Sequence, residues 1–487
     1  MDSLIQKIRQ ELGLTDSESL TLNEVSVCLQ ILARDETTLK HASTEDLRAL
    51  CLNRSATFSF LKGPKVTFND DYLTRIGESL NEILLNREQP LPCLRVSPQP
   101  LSLVQIEERY NHSFCLGIVF TAEMTSFQDI LHSIQNDAYV YSSGANLIEV
   151  MGIRESWLIE KEGSLWTQRA LILDNTGLVL DQTFEAPVKL NTGWILHLKR
   201  EQEIQSHQKI SQQFQKNNIH LVNPFGKAVE NADSKYQSYL CWNHHLIQPK
   251  SCFIQKGMES NKLRETTADM NDIRSAYLLP NTGTEGIGIQ PIQLNETSLM
   301  TISQASMKED FILRESRGNV YYFDPKESSS GYRSIVLRAN VFFNENGCQT
   351  ESGYLLVSEN SQNEIASVSQ GGRILSLDKC HTHLYWKDES GQFQPLKITN
   401  SDLDNIGKTA SRGIELLNVP STPGEHLLFA GIDILLEYHR DKGIIPVILE
   451  ANPRPSGLPH AREWIADPPR VLLVSKLLFE SIYNYIN

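Results

Sequence analysis

Two apolar stretches in the last quarter of the chain constrain its fold more than any other feature. Gly431-Ile432-Asp433-Ile434-Leu435-Leu436-Glu437 is followed, after the polar connection Tyr438-His439-Arg440-Asp441-Lys442-Gly443, by Ile445-Pro446-Val447-Ile448-Leu449-Glu450-Ala451-Asn452-Pro453-Arg454-Pro455-Ser456-Gly457. The β-branched runs predict two buried strands of a hairpin. Asp433 interrupts the first strand, and Glu450 and Asn452 close the second. Alternation puts Glu450 and Asn452 on one face and Ala451 on the other. Carboxylates are costly to bury unless a cation or donor meets them. Asp, Glu and an amide oxygen are also the oxygen ligands that Mg²⁺ takes when it holds phosphates. The hairpin is therefore a candidate metal shelf, with Asp433, Glu450 and Asn452 as its ligands.

The rest of the chain bounds what such a shelf can serve. Its 487 residues suggest two to four domains. A formal net charge of -14 argues against nucleic acid or an anionic membrane as the main partner, while leaving room for a local basic pocket. The 8 cysteines are scattered, with no C-x-x-C pair, as expected of free thiols in a reducing compartment. Met1 to Leu12 has helical spacing broken by charges, which fits a helix rather than a signal peptide. No apolar run approaches a bilayer span. A soluble cytoplasmic protein acting on small molecules is the expectation, and a homo-oligomer is compatible with it.

In chain order, residues 1 to about 60 predict short helices, with Thr15-Asp16-Ser17-Glu18 as a capping box and Ser43-Thr44-Glu45-Asp46 opening another. Prolines from Gln89 to Pro100 predict a linker. Strands are expected over Phe114 to Phe120, Trp157 to Ile159, Ala170 to Leu173 and Trp194 to Leu198, and an amphipathic helix over Ser126 to Gln135. That alternation suggests an α/β or α+β domain. A polar helix over Glu201 to Asn217 and a strand over His220 to Val222 lead to the main boundary. One helix is expected over Asp233 to Leu240, running into Ile247-Gln248-Pro249.

Leu278-Leu279-Pro280-Asn281-Thr282-Gly283-Thr284-Glu285-Gly286-Ile287-Gly288-Ile289 predicts strand, loop and strand. Its alternating glycines let backbone N–H groups approach phosphate oxygens. Without G-K-[ST], and with a strand following, it is neither a P-loop nor a Rossmann fingerprint. Phe311 to Ser316 and Ser334 to Val341 are further strands. Arg338, between apolar neighbours, needs an anionic partner: a phosphate, a substrate carboxylate or a structural ion pair. Cys380-His381-Thr382-His383 lacks companion ligands and is taken as an ordinary strand end. His460 and Arg462, just beyond the shelf, are candidate substrate contacts.

Glu450-Ala451-Asn452-Pro453-Arg454-Pro455-Ser456-Gly457, preceded by Gly431-Ile432-Asp433, resembles the metal-binding signature of the ATP-grasp superfamily of ATP-dependent carboxylate-amine ligases, over roughly the C-terminal half. The resemblance implies an α+β ATP-grasp domain over 223-487, with a lid subdomain over about 223-315 and a metal- and substrate-binding part over about 316-487. It would follow an N-terminal region, 1-222, made of the helical segment and a mixed α/β domain. ATP and Mg²⁺, or Mn²⁺ in its place, are the implied cofactors. Lys235 matches a lysine near the start of the lid helix. Asn281, Gly283, Thr284, Gly286 and Gly288 match the loop that closes over phosphates. Arg314 and Glu315 lie on a strand similar to the one that meets adenine, and Arg338 and Arg454 would stabilise the transferred group. Ser369-Gln370-Gly371-Gly372-Arg373 resembles a double-glycine turn of the family. Two positions depart from the pattern: Leu279 and Tyr239 stand where relatives carry lysines, so Lys235, Lys256, Arg314 or Arg338 must supply the missing charge. The implied activity joins a carboxylate to an amine through an acyl phosphate. A phosphotransferase on the same fold and a nucleotide-binding scaffold without catalysis are the alternatives.

Overall fold

A computed structural model describes residues 95–454, apart from 97–98, 112, 121–146, 174–178, 197–200, 271, 283–285, 287, 324–330, 345–346, 363 and 378–381, together with 477, 481 and 482. The helices expected before residue 60 and over Ser126 to Gln135 lie outside the described residues. So do Gly283, Thr284, Cys380, His381, His460 and Arg462. The chain divides into two compact units, Met1–Leu198 with Gln212–Ile219, and Lys199–Ser211 with His220–Asn487.

The first unit is a mixed sheet of β1 (Arg95–Val96), β2 (Ser113–Phe120), β3 (Leu147–Arg154), β4 (Leu158–Lys161), β5 (Ser164–Leu173), β6 (Val179–Lys189) and β7 (Thr192–Leu196). The order is β1-β6-β5-β3-β2-β7, with β4 added on β5. β2 runs parallel to β3 and β7, whereas β5 pairs antiparallel with β4 and β6. Helix α1 (Leu103–Tyr110) opens with a capping box in which Ser102 and Gln105 satisfy each other's backbone. The expected strand at Trp157 begins one residue later, because Glu155–Trp157 is a 3-10 turn. Inside this unit Arg169 donates from Nε and Nη2 to the two Asp181 oxygens at 3.0 and 2.8 Å. The Trp157 ring lies 4.2 Å from that guanidinium. Helix α2 (Glu201–Lys216) is the polar helix expected there.

The second unit begins with β8 (Leu221–Val222), α3 (Lys227–Asp233) and α4 (Lys235–Trp242). The single helix expected over Asp233 to Leu240 is therefore two. Ser234 is extended, and its hydroxyl accepts from Gln237 N to cap α4 instead of continuing α3. A four-stranded antiparallel sheet follows, β11-β10-β12-β9, from β9 (Ser251–Ile254), β10 (Ser275–Pro280), β11 (Gln290–Gln293) and β12 (Phe311–Glu315). Ala276, Leu278, Phe311 and Leu313 turn one of its faces onto Leu263 of α5 (Ser260–Thr267) and Ile302 of α6 (Glu296–Ser306).

The larger sheet has β13 (Val320–Tyr322), β14 (Arg333–Asn344), β15 (Gly347–Val357), β16 (Arg373–Ser376), β17 (Leu384–Lys387) and β18 (Phe393–Pro395) in the order β16-β15-β14-β13-β17-β18. After α7 (Asn400–Asn418), the hairpin of β19 (Phe429–His439) and β20 (Gly443–Asn452) adds to it through β14. Ile335, Leu337, Ala339 and Val341 of β14 share a core with Ile406, Ala410 and Ile414 of α7 and with Ile432, Ile434 and Ile448 of the hairpin. Helix α4 ends in this core. The Trp242 indole, 1% exposed, donates to the Gly413 carbonyl at 3.0 Å. Alternate residues of β14 take one side for the core, so Arg338 and Asn340 occupy the other. Among the described residues no helix is long and apolar enough to cross a membrane.

Candidate active site

The face of the large sheet opposite α7 carries two rows of polar residues, set by strand register. Across β15, β14, β19 and β20 one row runs Tyr354, Arg338, Asp433, Glu450, and the next runs Glu351, Asn340, Gly431, Asn452. Two β-bulges build these rows. In β20, Asp433 is opposite Glu450 but Ile434 is opposite Ile448, so Leu449 is an extra residue. Ile448 thus stays in the core while Glu450, two residues on, turns to the polar face. In β15 a register shift lies between the partners of Arg338 and Asn340, so Glu351 and Tyr354, three apart, share one face. Gly353 sits in that bulge with φ +62°, and a Cβ there would lie 1.6 Å from the Arg338 carbonyl oxygen. Only glycine fits.

Asp433 and Glu450 are each met by a cation. Asp433 accepts from Arg338 Nε at 2.6 Å and Nη2 at 2.7 Å, and from Asn452 Nδ2 at 3.3 Å. A Cβ on Gly431 would lie 3.0 Å from Arg338 Cδ, so the glycine lets the arginine lie across β19. Glu450 Oε2 is 3.8 Å from Lys235 Nζ. Burial pushes the Glu450 pKa up, but Lys235, Arg314 and Arg338 together outweigh it and hold the carboxyl below its usual range. Burial and the facing Glu450 raise the Asp433 pKa against the pull of Arg338. Both Asp433 oxygens accept from one guanidinium, so the geometry holds the charged form. Burial lowers the Lys235 pKa, and it brings Arg314 down to about 10, opposed by Glu450.

Lys235 is the first residue of α4, and the side chain of Asn281 fixes that turn. Asn281 Oδ1 accepts from Tyr236 N at 3.0 Å, and its carbonyl accepts from Lys235 N at 3.0 Å. Asn281 therefore sets the lysine's position from the glycine loop. Arg314, 4% exposed, occupies the face of the four-stranded sheet opposite α5 and α6. Leu279 lies one step along that same face: Leu279 pairs with Ile312 and Tyr277 with Arg314. The charge absent at Leu279 is thus present two residues along the neighbouring strand.

Other expected site residues are engaged differently. Glu315 accepts from the Lys250 backbone at 3.0 Å, at the end of β12. Arg454 donates to Asp233 at 2.6 Å and ties the exit of β20 to the end of α3. Lys256 is exposed, its backbone donating to Asp310. Tyr239 stacks on Tyr236. Gly286 and Gly288 have φ of +72° and +78°, and the Gly286 carbonyl accepts from Gln370 at 2.5 Å, beside the turn at Gly371. Sequence reasoning missed Tyr354, Asn340 and Glu351. Tyr354 is fully buried and stands opposite Arg338 in strand register, where the arginine's charge opposes the upward push of burial on its hydroxyl pKa. The Glu351 carboxylate accepts from Gly353 N at 2.8 Å. The signal available was the pair Ser352-Gly353, a bulge candidate inside a strand.

Among the described residues no group of three or more His, Cys, Asp or Glu converges as a metal cluster. The donor set is two facing carboxylates and one amide. Such an all-oxygen set fits a hard divalent cation such as Mg²⁺.

No family model matches the chain, and no curated protein matches it. It is similar to solved structures. D-alanyl-alanine synthetase A from Vibrio cholerae O1 shows 11% identity and a TM-score of 0.47, covering 77% of this chain and 99% of that one. D-alanine–D-alanine ligase from Bacillus anthracis, complexed with ATP, shows 11% identity and a TM-score of 0.41 over 77% and 98%. The ATP-grasp ligase PsnB, complexed with a phosphomimetic precursor variant, Mg and ADP, shows 12% identity and a TM-score of 0.37 over 76% and 99%. At identities of 11–12% these likenesses leave the chemistry of this chain to be read from its own residues.

Proposed function

We propose that the second unit is an ATP- and Mg²⁺-dependent ligase joining a small-molecule carboxylate to an amine, with release of ADP and phosphate. One observation carries the reading: Lys235, Arg314 and Arg338 converge on a carboxylate pair, Asp433 and Glu450, on one polar face. That surplus of opposed, buried charge has no packing rationale, and it suits a polyphosphate bound with a metal. Asp433, Glu450 and Asn452 would hold the Mg²⁺, which when bound neutralises phosphate charge.

In the first step a substrate carboxylate oxygen attacks the γ-phosphorus in line, and the bond to the ADP oxygen breaks, giving an acyl phosphate. Lys235 and Arg314 orient the polyphosphate, and Arg338 and Arg454 stabilise the transferred group. In the second step the amine lone pair attacks the acyl carbon. The carbon–oxygen bond to phosphate then breaks, and the amine loses a proton to solvent. The test is ADP release by purified protein supplied with ATP, Mg²⁺ and pools of carboxylic acids and amines. Release that requires both substrates supports ligation. Release with an acid or alcohol alone, leaving a stable phosphorylated product, would overturn it in favour of phosphotransfer.

A further inference from the structure

We infer that Arg338 is an internal counter-ion that competes with the divalent cation for Asp433, so that metal enters this site together with a phosphate-bearing nucleotide and only weakly alone. The inference rests on the reading of Asp433, Glu450 and Asn452 as metal ligands. Both Asp433 oxygens already accept from the Arg338 guanidinium, at 2.6 and 2.7 Å, and Asn452 spends its amide N–H on Asp433 as well. Glu450 faces Lys235 and Arg314. Asp433 is thus already engaged, and a bare cation approaching it meets Arg338 on the same face and Lys235 and Arg314 near Glu450.

The arrangement reverses once a polyphosphate arrives. Its oxygens offer the guanidinium a bidentate partner as good as a carboxylate. Arg338 can then leave Asp433 without a buried charge being stranded. Tyr354, opposite Arg338 in strand register and fully buried, stays beside it in both arrangements. Tyr354 is therefore a positioning residue, a pivot on which the guanidinium turns from carboxylate to phosphate. The exchange of partners makes an open polar face unattractive to free metal, yet receptive to a metal–nucleotide complex.

The probe is Mn²⁺ alone, titrated into nucleotide-free protein and followed by loss of the free-ion paramagnetic resonance signal. Wild type should bind it weakly, Arg338→Lys more tightly, since a single ammonium cannot hold both oxygens, and Arg338→Met at least about tenfold more tightly than wild type. Arg317→Met is the control. It removes an equal charge from the Arg317–Glu437 pair, farther along β19, and should leave Mn²⁺ affinity unchanged. Should Arg338→Met fold poorly, its melting temperature should rise with Mn²⁺ concentration while that of wild type does not. Equal Mn²⁺ affinity in wild type, Arg338→Lys and Arg338→Met overturns the inference, as does tight Mn²⁺ binding by wild type. The ligase reading stands or falls separately, on whether ADP release by wild type requires both a carboxylic acid and an amine.

Discussion

Each unit of this protein buries an aspartate whose two oxygens accept from one half-buried arginine, and the two pairs do different things. In the first, Arg169 and Asp181 lie diagonally across β5 and β6 with Trp157 against the guanidinium. That pair is a closed account of charge, stacked and fully bonded, and it reads as structure. In the second, Arg338 and Asp433 are joined by Glu450, and Lys235 and Arg314 face the same point. Charge there exceeds what packing needs. A buried ion pair is by itself weak grounds for either stability or function; the excess around it is what marks a site.

The sharpest way to break this contrast is at Glu450. Glu450→Gln should lower nucleotide turnover by about a hundredfold or more while the protein stays folded with a modest drop in melting temperature, because the residue packs nothing and stabilises only through the charge it neutralises. Loss of fold in that variant would show the second pair to be structural too. The converse is Asp181→Ala, expected to cost about 3–5 kcal/mol of stability by stranding Arg169, with nucleotide affinity per folded molecule unchanged. Chemical denaturation and a binding titration on the same preparation check both halves.

Smaller effects sharpen the picture. Lys235→Met should raise the apparent KM for ATP by ~10- to 100-fold, the loss of one charge-assisted hydrogen bond of roughly 1.5–3 kcal/mol. An unchanged KM would leave Arg314 as the cation that matters in the lid. Tyr354→Phe should cost about tenfold in kcat, or ~1.4 kcal/mol, with KM for the amine untouched, because it loosens the aim of Arg338 alone. The smallest effect is in pH. The Glu450 carboxyl is held below its usual range, so its charged form contributes stability that is complete above about pH 4.3 and fades as pH falls through the lowered value. Acid unfolding curves of wild type and Glu450→Gln should therefore converge at low pH; parallel curves would contradict the assignment.

Much of the second unit was legible in the sequence because local rules and the fold agree there. The hairpin at Asp433 and Glu450, the strand around Arg338 and the glycine loop between β10 and β11 all follow from apolar alternation and turn residues. What escaped depends on register. Leu449 has the composition of any strand residue, yet as a bulge it decides that Ile448 and Glu450 part company. Tyr354 lies well apart in sequence from Arg338 and meets it only because Ser352 and Gly353 shift the strand. Asn281 looked like a phosphate contact from its loop, and it fixes the helix that begins at Lys235. The break at Ser234 was open to both readings, since a serine can continue a helix or cap one.

That helix has an optical consequence. It is 8 residues long, so a rise of about 10 Å separates Lys235 at its start from Trp242 at its end. The indole is sealed from water and fixed to α7 through the Gly413 carbonyl. If Lys235 takes hold of phosphate as proposed, a tilt of the first turn would be carried along a rigid rod to a buried fluorophore. The protein thus comes with its own reporter of occupancy, and emission of a variant retaining Trp242 as its single tryptophan would follow nucleotide capture without a label.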